Sequence, residues 1–307
     1  MKKIAFILTA LALTFFSCCK TPRPENETPA EPETPAEPEV PTEPETPPEP
    51  DVYHILAIGN SFSSDAVEAN LWNLFDASGR KAIIGNLYAP GSYLGHHWER
   101  VESQAAEYKY AKVTDGVDIT KPEWVFDDAL ADEPWDFISL QQASDISGVY
   151  EKYYPALPNL MNYIKGKSDA EIVFHQTWAY PANSDHAGFA NYNYDQEIMY
   201  QSIVIVTQRV MRENNISLVI PSGTAIQNAR TSYLGDTLNR DGLHLEMNYG
   251  RYIAACTWFE ALTGQSVVGN PYYPDTITPE LALLCQTAAH LACLSPWEVT
   301  PMTDFQE

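Results

Sequence analysis

Along the chain, short solid apolar runs alternate with longer stretches in which apolar residues recur at helical spacing. Tyr53–Asn60 (Y-H-I-L-A-I-G-N) is an apolar run that ends at a turn, the pattern of a buried strand. Val67–Ala77 places Val67, Leu71, Leu74 and Phe75 on one helical face and stops at Ser78-Gly79. Ala82–Ala89 predicts a second strand, closed by Pro90-Gly91, and His96–Tyr108 a helix. Trp135–Gln141, Glu171–Trp178 and Ile216–Ile220 predict three more strands. Between and after them lie predicted helices at Tyr154–Lys165, Gln196–Asn214, Leu245–Thr263 and Pro279–Leu294. Within Gln196–Asn214 the pattern turns Ile198, Ile203, Val206 and Val210 inward. Glu107–Lys121 differs: Tyr108, Tyr110 and Val113 alternate with polar residues up to Asp115-Gly116, and the apolar positions resume at Val117 and Ile119. This is a hairpin with a two-residue turn, expected as an insertion.

Strands that alternate with helices predict an α/β fold, a three-layer α/β/α sandwich around a mainly parallel five-stranded sheet, with a small β-hairpin insertion. In such sheets ligands and chemistry gather at the carboxyl ends of the strands. The turns after the strands are therefore where reactive side chains are sought.

The first 51 residues do not share this pattern. Met1-Lys2-Lys3 is basic, and Ile4–Phe16 is apolar but shorter than the ~20 residues that span a bilayer. Small Ser17 precedes Cys18, the anatomy of an export signal. Eleven of the 23 prolines and nine glutamates fall in residues 21–50, which hold no aromatic residue. No core can form there, and proline with like charge favours an extended, disordered spacer. The expected organisation is a signal peptide over 1–17, a linker over 18–51 that begins at Cys18, and one folded domain over 52–307.

Charge narrows the function classes. The whole chain carries a formal −23: +3 in residues 1–20, −8 in 21–50 and −18 in the remainder. A domain this acidic does not suit nucleic acid, whose phosphates need a basic surface, and it does not dock unaided on anionic lipid. It also disfavours a polyanionic substrate. Cys256, Cys285 and Cys293 sit in apolar helical patterns without paired spacing, and are expected as buried small hydrophobes. His96, His97, His175, Asp185 and His186 offer no compact ligand spacing, so no metal and no cofactor is expected.

Two constellations carry candidate chemistry. After the first strand stands Gly59-Asn60-Ser61-Phe62-Ser63, with a serine at the strand's carboxyl end just before a helix. Either Ser61 is a nucleophile, or Ser61 or Ser63 only caps the helix. Late in the chain stands Arg240-Asp241-Gly242-Leu243-His244. An Asp three residues before a His can orient one ring nitrogen while the other takes a serine proton. Asp51 and His54 share that spacing, but they lie at the entry to the first strand.

Together, Gly59-Asn60-Ser61 and Asp241-x-x-His244 resemble the SGNH hydrolases, or GDSL-type esterases, over about residues 53–264. The resemblance implies a flavodoxin-like sheet and a serine esterase with Ser61, His244 and Asp241 as its triad. It also implies an oxyanion hole from the backbone of Ser61 and Gly91 and from a third-block side chain. The family's usual third-block Asn is absent. Leu140-Gln141-Gln142-Ala143-Ser144-Asp145 is similar to the sialate and xylan acetylesterase branch, where a Gln serves, which places Gln141 in the hole and Gln142 beside it as the alternative. Cys18 resembles the acylated cysteine of bacterial lipoproteins. This implies a cell-envelope protein held to the outer membrane by lipid alone, periplasmic or surface-facing, and monomeric. The expected reaction is removal of small acyl groups, such as O-acetyl, from carbohydrate, with Trp178, His97 and Gln142 as substrate-lining candidates. The alternatives are a non-catalytic glycan-binding lipoprotein on the same fold and a spacer-borne adhesion module for a protein partner.

Overall fold

The computed structural model describes residues 52–306; the expected signal peptide, Cys18 and the linker lie outside the described residues. The chain runs β1 (Val52–Gly59), α1 (Ser61–Val67), α2 (Leu71–Ala77), β2 (Lys81–Tyr88), α3 (Leu94–Ser103), β3 (Tyr108–Thr114), β4 (Val117–Trp124) and α4 (Phe126–Ala131). It continues with β5 (Phe137–Leu140), α5 (Ala156–Lys165), β6 (Glu171–His175), α6 (Gln196–Asn214), β7 (Val219–Ile220), α7 (Ser222–Arg230), α8 (Tyr249–Thr263) and α9 (Pro279–Leu294).

A single mixed sheet of seven strands, in the order β4-β3-β2-β1-β5-β6-β7, organises the domain. Strands β2, β1, β5, β6 and β7 are mutually parallel. This corrects the five-stranded expectation: the hairpin is no appendage but extends the sheet, β3 pairing antiparallel with the free edge of β2 and β4 antiparallel with β3. Its alternation explains why. Tyr108 and Tyr110 are buried, and they pack in the same cluster as Phe126 of α4 and Trp135. Tyr110 also donates to Asp132 at 2.9 Å. A strand with one apolar face is stable only where that face is covered: pairing with the edge of β2 brings it under α4 and Trp135.

Successive side chains of β1 enter two separate cores, as the period of two requires. Tyr53, Ile55 and Ala57 join a cluster with α1, α2, α8 and α9; Leu56 and Ile58 join one with α3, α4 and α5. Helix α6 feeds both, Met199, Tyr200 and Ile203 to the first cluster and Val206, Val210 and Met211 to the second. Ile198 is exposed, contrary to the expected inward face, because it shares the outer stripe with Ser202, Ile205 and Arg209.

Other boundaries also differ. The helix predicted from Val67 starts at Leu71 as α2, and α1, which the apolar pattern did not predict, ends at Val67. Strand β7 is two residues rather than five, because it begins only at Val219: Asn215 is the left-handed cap of α6, and the Ile216 N–H still donates to Met211 O at 2.9 Å. Cys256 and Cys285 are fully buried and Cys293 only partly, and burial pushes all three thiols up. Among the described residues no helix is long and apolar enough to cross a membrane, and no three His, Cys, Asp or Glu side chains converge as metal ligands.

Candidate active site

β1 ends at Gly59 because nothing larger fits there. A Cβ on Gly59 would come within 2.8 Å of Gln141 Cδ and 2.9 Å of Ser63 Oγ. Asn60 then caps α1, its Oδ1 accepting from the Phe62 N–H at 3.0 Å, while its Nδ2 donates to Ser92 O at 2.9 Å. The cap is thus Asn60, not Ser61 or Ser63. Ser63 is buried, with its Oγ 2.7 Å from Asn60 O and 2.8 Å from Asn86 Oδ1. Ser61, the first residue of the helix, keeps its side chain free to face the late loop between α7 and α8.

There, Ser61 Oγ lies 2.8 Å from His244 Nε2, and His244 Nδ1 lies 2.9 Å from Asp241 Oδ2. Asp241 Oδ1 also accepts from the His244 backbone N–H at 2.8 Å. Burial raises the Asp241 carboxyl, but its bonds from His244 outweigh this and hold it below the ordinary carboxylate range. The turn between the two residues needs Gly242, whose φ of +76° is left-handed. The line is open to solvent: the Asp241 side chain is 46% exposed and that of His244 23%. His54, the rival partner in an Asp-x-x-His spacing, instead meets Asp136 at the opposite, amino-terminal end of the strands.

The loop that carries Asp241 and His244 has almost no regular structure, so side chains hold it. The Arg230 side chain, 5% exposed, is one of them. It binds Asp236 at 2.8 Å, Asn239 Oδ1 at 2.8 Å and Ala179 O at 3.0 Å. Trp178 donates from its indole Nε1 to Leu243 O at 2.8 Å and stacks on Phe62 at a centroid distance of 4.1 Å. It therefore joins the neighbour of Ser61 to the neighbour of His244.

Asp65 makes the same join through charge. Its side chain, on α1 four residues after Ser61, is 1% exposed. It accepts from the Leu245 N–H at 2.9 Å, from Arg240 Nη1 at 3.1 Å and from Arg251 Nη2 at 2.7 Å. Arg240 in turn donates to Leu245 O. No motif or spacing in the sequence marks Asp65 or Arg251. The available signal was an acid placed among Phe62, Ala66 and Val67, since a carboxylate on an apolar stripe needs cationic partners.

Gly91 sits in the turn after β2 with φ +59° and is exposed, and a Cβ there would meet open space. Among the described residues neither the Ser61 nor the Gly91 N–H has a protein acceptor. Gln141 is buried behind Asn60: its Nε2 donates to Asn60 Oδ1 at 2.8 Å, and its Oε1 faces His175 Nδ1 at 3.1 Å. His175 completes the chain at Ser222 Oγ, 3.0 Å from Nε2; burial lowers its pKa to about 3, so it is neutral.

The three residues expected to line the substrate do not. Trp178 is 0% exposed, and His97 and Gln142 are 1% exposed. Gln142 Oε1 accepts from the N–H groups of Leu94 and Ala143, and its Nε2 donates to Lys152 O, so its capacity is spent on three backbone segments. His97 packs on Tyr108, its Nδ1 2.8 Å from the phenol oxygen, and burial lowers its pKa to about 3.

A family model described as "Domain of unknown function (DUF4886)" matches residues 54–292. A crystal structure of a DUF4886 family protein from Bacteroides uniformis ATCC 8492 is 48% identical, with a TM-score of 0.82 over 83% of this chain and 100% of that one. An acetylxylan esterase from Geobacillus stearothermophilus is 15% identical, with a TM-score of 0.47 over 69% of this chain and 94% of that one. An alpha/beta hydrolase enzyme from the metagenome of Lake Arreo, Spain, is 12% identical, with a TM-score of 0.43 over 68% and 94%. No curated protein matches.

Proposed function

The chain belongs to the DUF4886 family, and from the geometry of its own site we propose that it is a serine esterase of SGNH type, which releases small acyl groups such as acetyl from carbohydrate. The observation that carries this reading is the hydrogen-bonded line from Ser61 Oγ through His244 to Asp241 at the carboxyl edge of the sheet. With His244 Nδ1–H donating to Asp241, Nε2 is left as the acceptor for the serine proton.

In this mechanism Ser61 Oγ attacks the ester carbonyl carbon as His244 Nε2 takes its proton. Asp241 holds the ring in the right tautomer and offsets the imidazolium charge. The N–H groups of Ser61 and Gly91 are unspent and bind the oxyanion, while Gln141, expected in the hole, lies behind it and holds Asn60 through its Nε2. Donors of this kind are each worth on the order of 10²–10³ in rate. Collapse of the intermediate expels the sugar alkoxide, which leaves with the proton from His244. Water, deprotonated by His244, then attacks the acyl-enzyme, and the acid and free serine are regenerated. The open setting of the line suits an ester carried on a bulky glycan. In the same reading Cys18 anchors the domain at the cell envelope through the 18–51 spacer.

A fluorophosphonate probe with a fluorescent tag tests the nucleophile. The purified domain should be labelled, and Ser61→Ala should abolish labelling and lower hydrolysis of 4-nitrophenyl acetate by at least about 10³-fold. Absence of labelling, together with equal ester turnover by wild type and Ser61→Ala, sinks the esterase reading and favours a glycan-binding domain without chemistry.

A further inference from the structure

The sugar half of such a substrate needs a place, and the residues expected to supply it are buried. The sheet extension offers another. Lys109 and Ala111 of β3, Asp118 and Thr120 of β4 and Glu68 at the end of α1 line a groove of about 270 Å³. Ser61, Ser64 and Glu68 follow one another at spacings of three and four, so they lie on one stripe of the helix. At ~1.5 Å per residue, the groove wall begins about 10 Å from Ser61.

In the groove Glu68 and Lys109, like Asp118, have no partner of opposite charge among the described residues. Glu68 Oε1 accepts from Asn86 Nδ2 at 2.7 Å and from Ser64 Oγ at 2.9 Å, so neutral donors fix the carboxylate. Among the described residues its Oε2 has no hydrogen-bond partner and no cation meets it. Lys109 Nζ meets no carboxylate among the described residues and lies 5.9 Å from the centre of the Tyr88 ring. Tyr88 stands between groove and serine: it is the last residue of β2 and pairs with Gly59, two residues before Ser61. Its ring is partly exposed, and burial first and then the Glu68 charge push its phenol up, which places that carboxylate nearby.

We propose that this groove, with the Tyr88 ring at its mouth, is the subsite for the sugar portion of the substrate, a neutral glycan whose hydroxyls donate to Glu68 and accept from Lys109. The proposal rests on the esterase reading of Ser61. An anionic sugar would meet Glu68, Asp118 and a domain of net −18; a cationic one would meet Lys109. A sugar hydroxyl is both donor and acceptor and satisfies both fixed charges at once, while the ring's apolar face covers Tyr88.

The test compares O-acetylated xylo-, manno- and cello-oligosaccharides with 4-nitrophenyl acetate as substrates. Tyr88→Ala, Glu68→Gln and Lys109→Ala should each lower the ratio of kcat/KM for the best oligosaccharide to that for the aryl ester by about tenfold or more. Ratios within twofold of wild type for all three overturn the subsite. Calorimetric titration with the matching deacetylated oligosaccharides reads the groove without chemistry: wild type should bind one of them saturably, and Lys109→Ala at least tenfold more weakly. Lys109 is exposed, so its loss leaves the fold intact. Saturable binding without hydrolysis of any ester sinks the esterase reading alone. Hydrolysis without binding, or binding that Lys109→Ala does not weaken, sinks the subsite alone.

Discussion

Asp65 shows how one side chain can decide whether the site exists. It touches neither Ser61 nor His244, yet its carboxylate ties the helix of the one to the loop of the other through Leu245, Arg240 and Arg251. Removing one partner of a buried ionic cluster leaves charges that water does not fully reach. Asp65→Ala should therefore cost about 3 kcal/mol, read as a lowered urea midpoint. Asp65→Asn keeps the shape and can still accept from the Leu245 N–H, so it should lose less stability. The signature of positioning is a fall in the fluorophosphonate labelling rate of Asp65→Asn under conditions where it is fully folded. If that folded variant labels at the wild-type rate, Asp65 is structural only. Ser61, Asp241 and His244 were readable from their types and order, because catalytic chemistry draws on few residue types. Asp65 was not, because its partners are 175 to 186 residues away and nothing local points to them.

At the scale of elements, the late loop is the weak member of the site. It is neither helix nor strand, and its geometry comes from Arg230, Trp178, Asp65 and the left-handed turn at Gly242. Trp178→Phe isolates one clamp. The ring still stacks on Phe62, but the indole N–H to Leu243 O is lost. Stability should fall by about 1 kcal/mol, the ordinary worth of a hydrogen bond, whereas ester turnover should fall about tenfold as His244 drifts from the serine. A melting curve and a kcat from the same preparation check both. The same element shows where sequence patterning stops. Apolar runs located the parallel strands, since burial on both faces leaves a continuous signature. They did not reveal that the hairpin joins the sheet, because Tyr108 and Tyr110 announce an apolar face but not which strand edge the hairpin pairs with. Trp178 and His97 are aromatic whether they line a cleft or fill a core, and only the packing separates these.

Over the whole molecule, acid sensitivity should be governed by two buried histidines outside the proposed triad. Burial keeps His97 and His175 neutral in the folded state, with pKa lowered to about 3, while in the unfolded chain each titrates near 6.5. A depressed folded value means their contribution is intact above 6.5 and is lost as the pH falls toward 3. Each should tilt stability by ~1.4 kcal/mol per pH unit below 6.5. Urea midpoints at pH 7, 6 and 5 should fall progressively, and His97→Gln should reduce the slope; an unchanged slope refutes the assignment. Asp241 acts lower on the scale: its lowered carboxyl supports the fold above its unfolded value and ceases to as the pH falls through the folded one.

The hydrogen bond between Ser61 and His244 spans 183 residues, and the one between Asp65 and Leu245 spans 180. Contacts that distant form late, after the loops between them have closed. A chain still emerging from the ribosome carries Ser61 without His244. On the proposed esterase reading, turnover would therefore begin only when the last third of the domain has docked, and hydrolysis of a simple acetyl ester becomes a clock for completed folding.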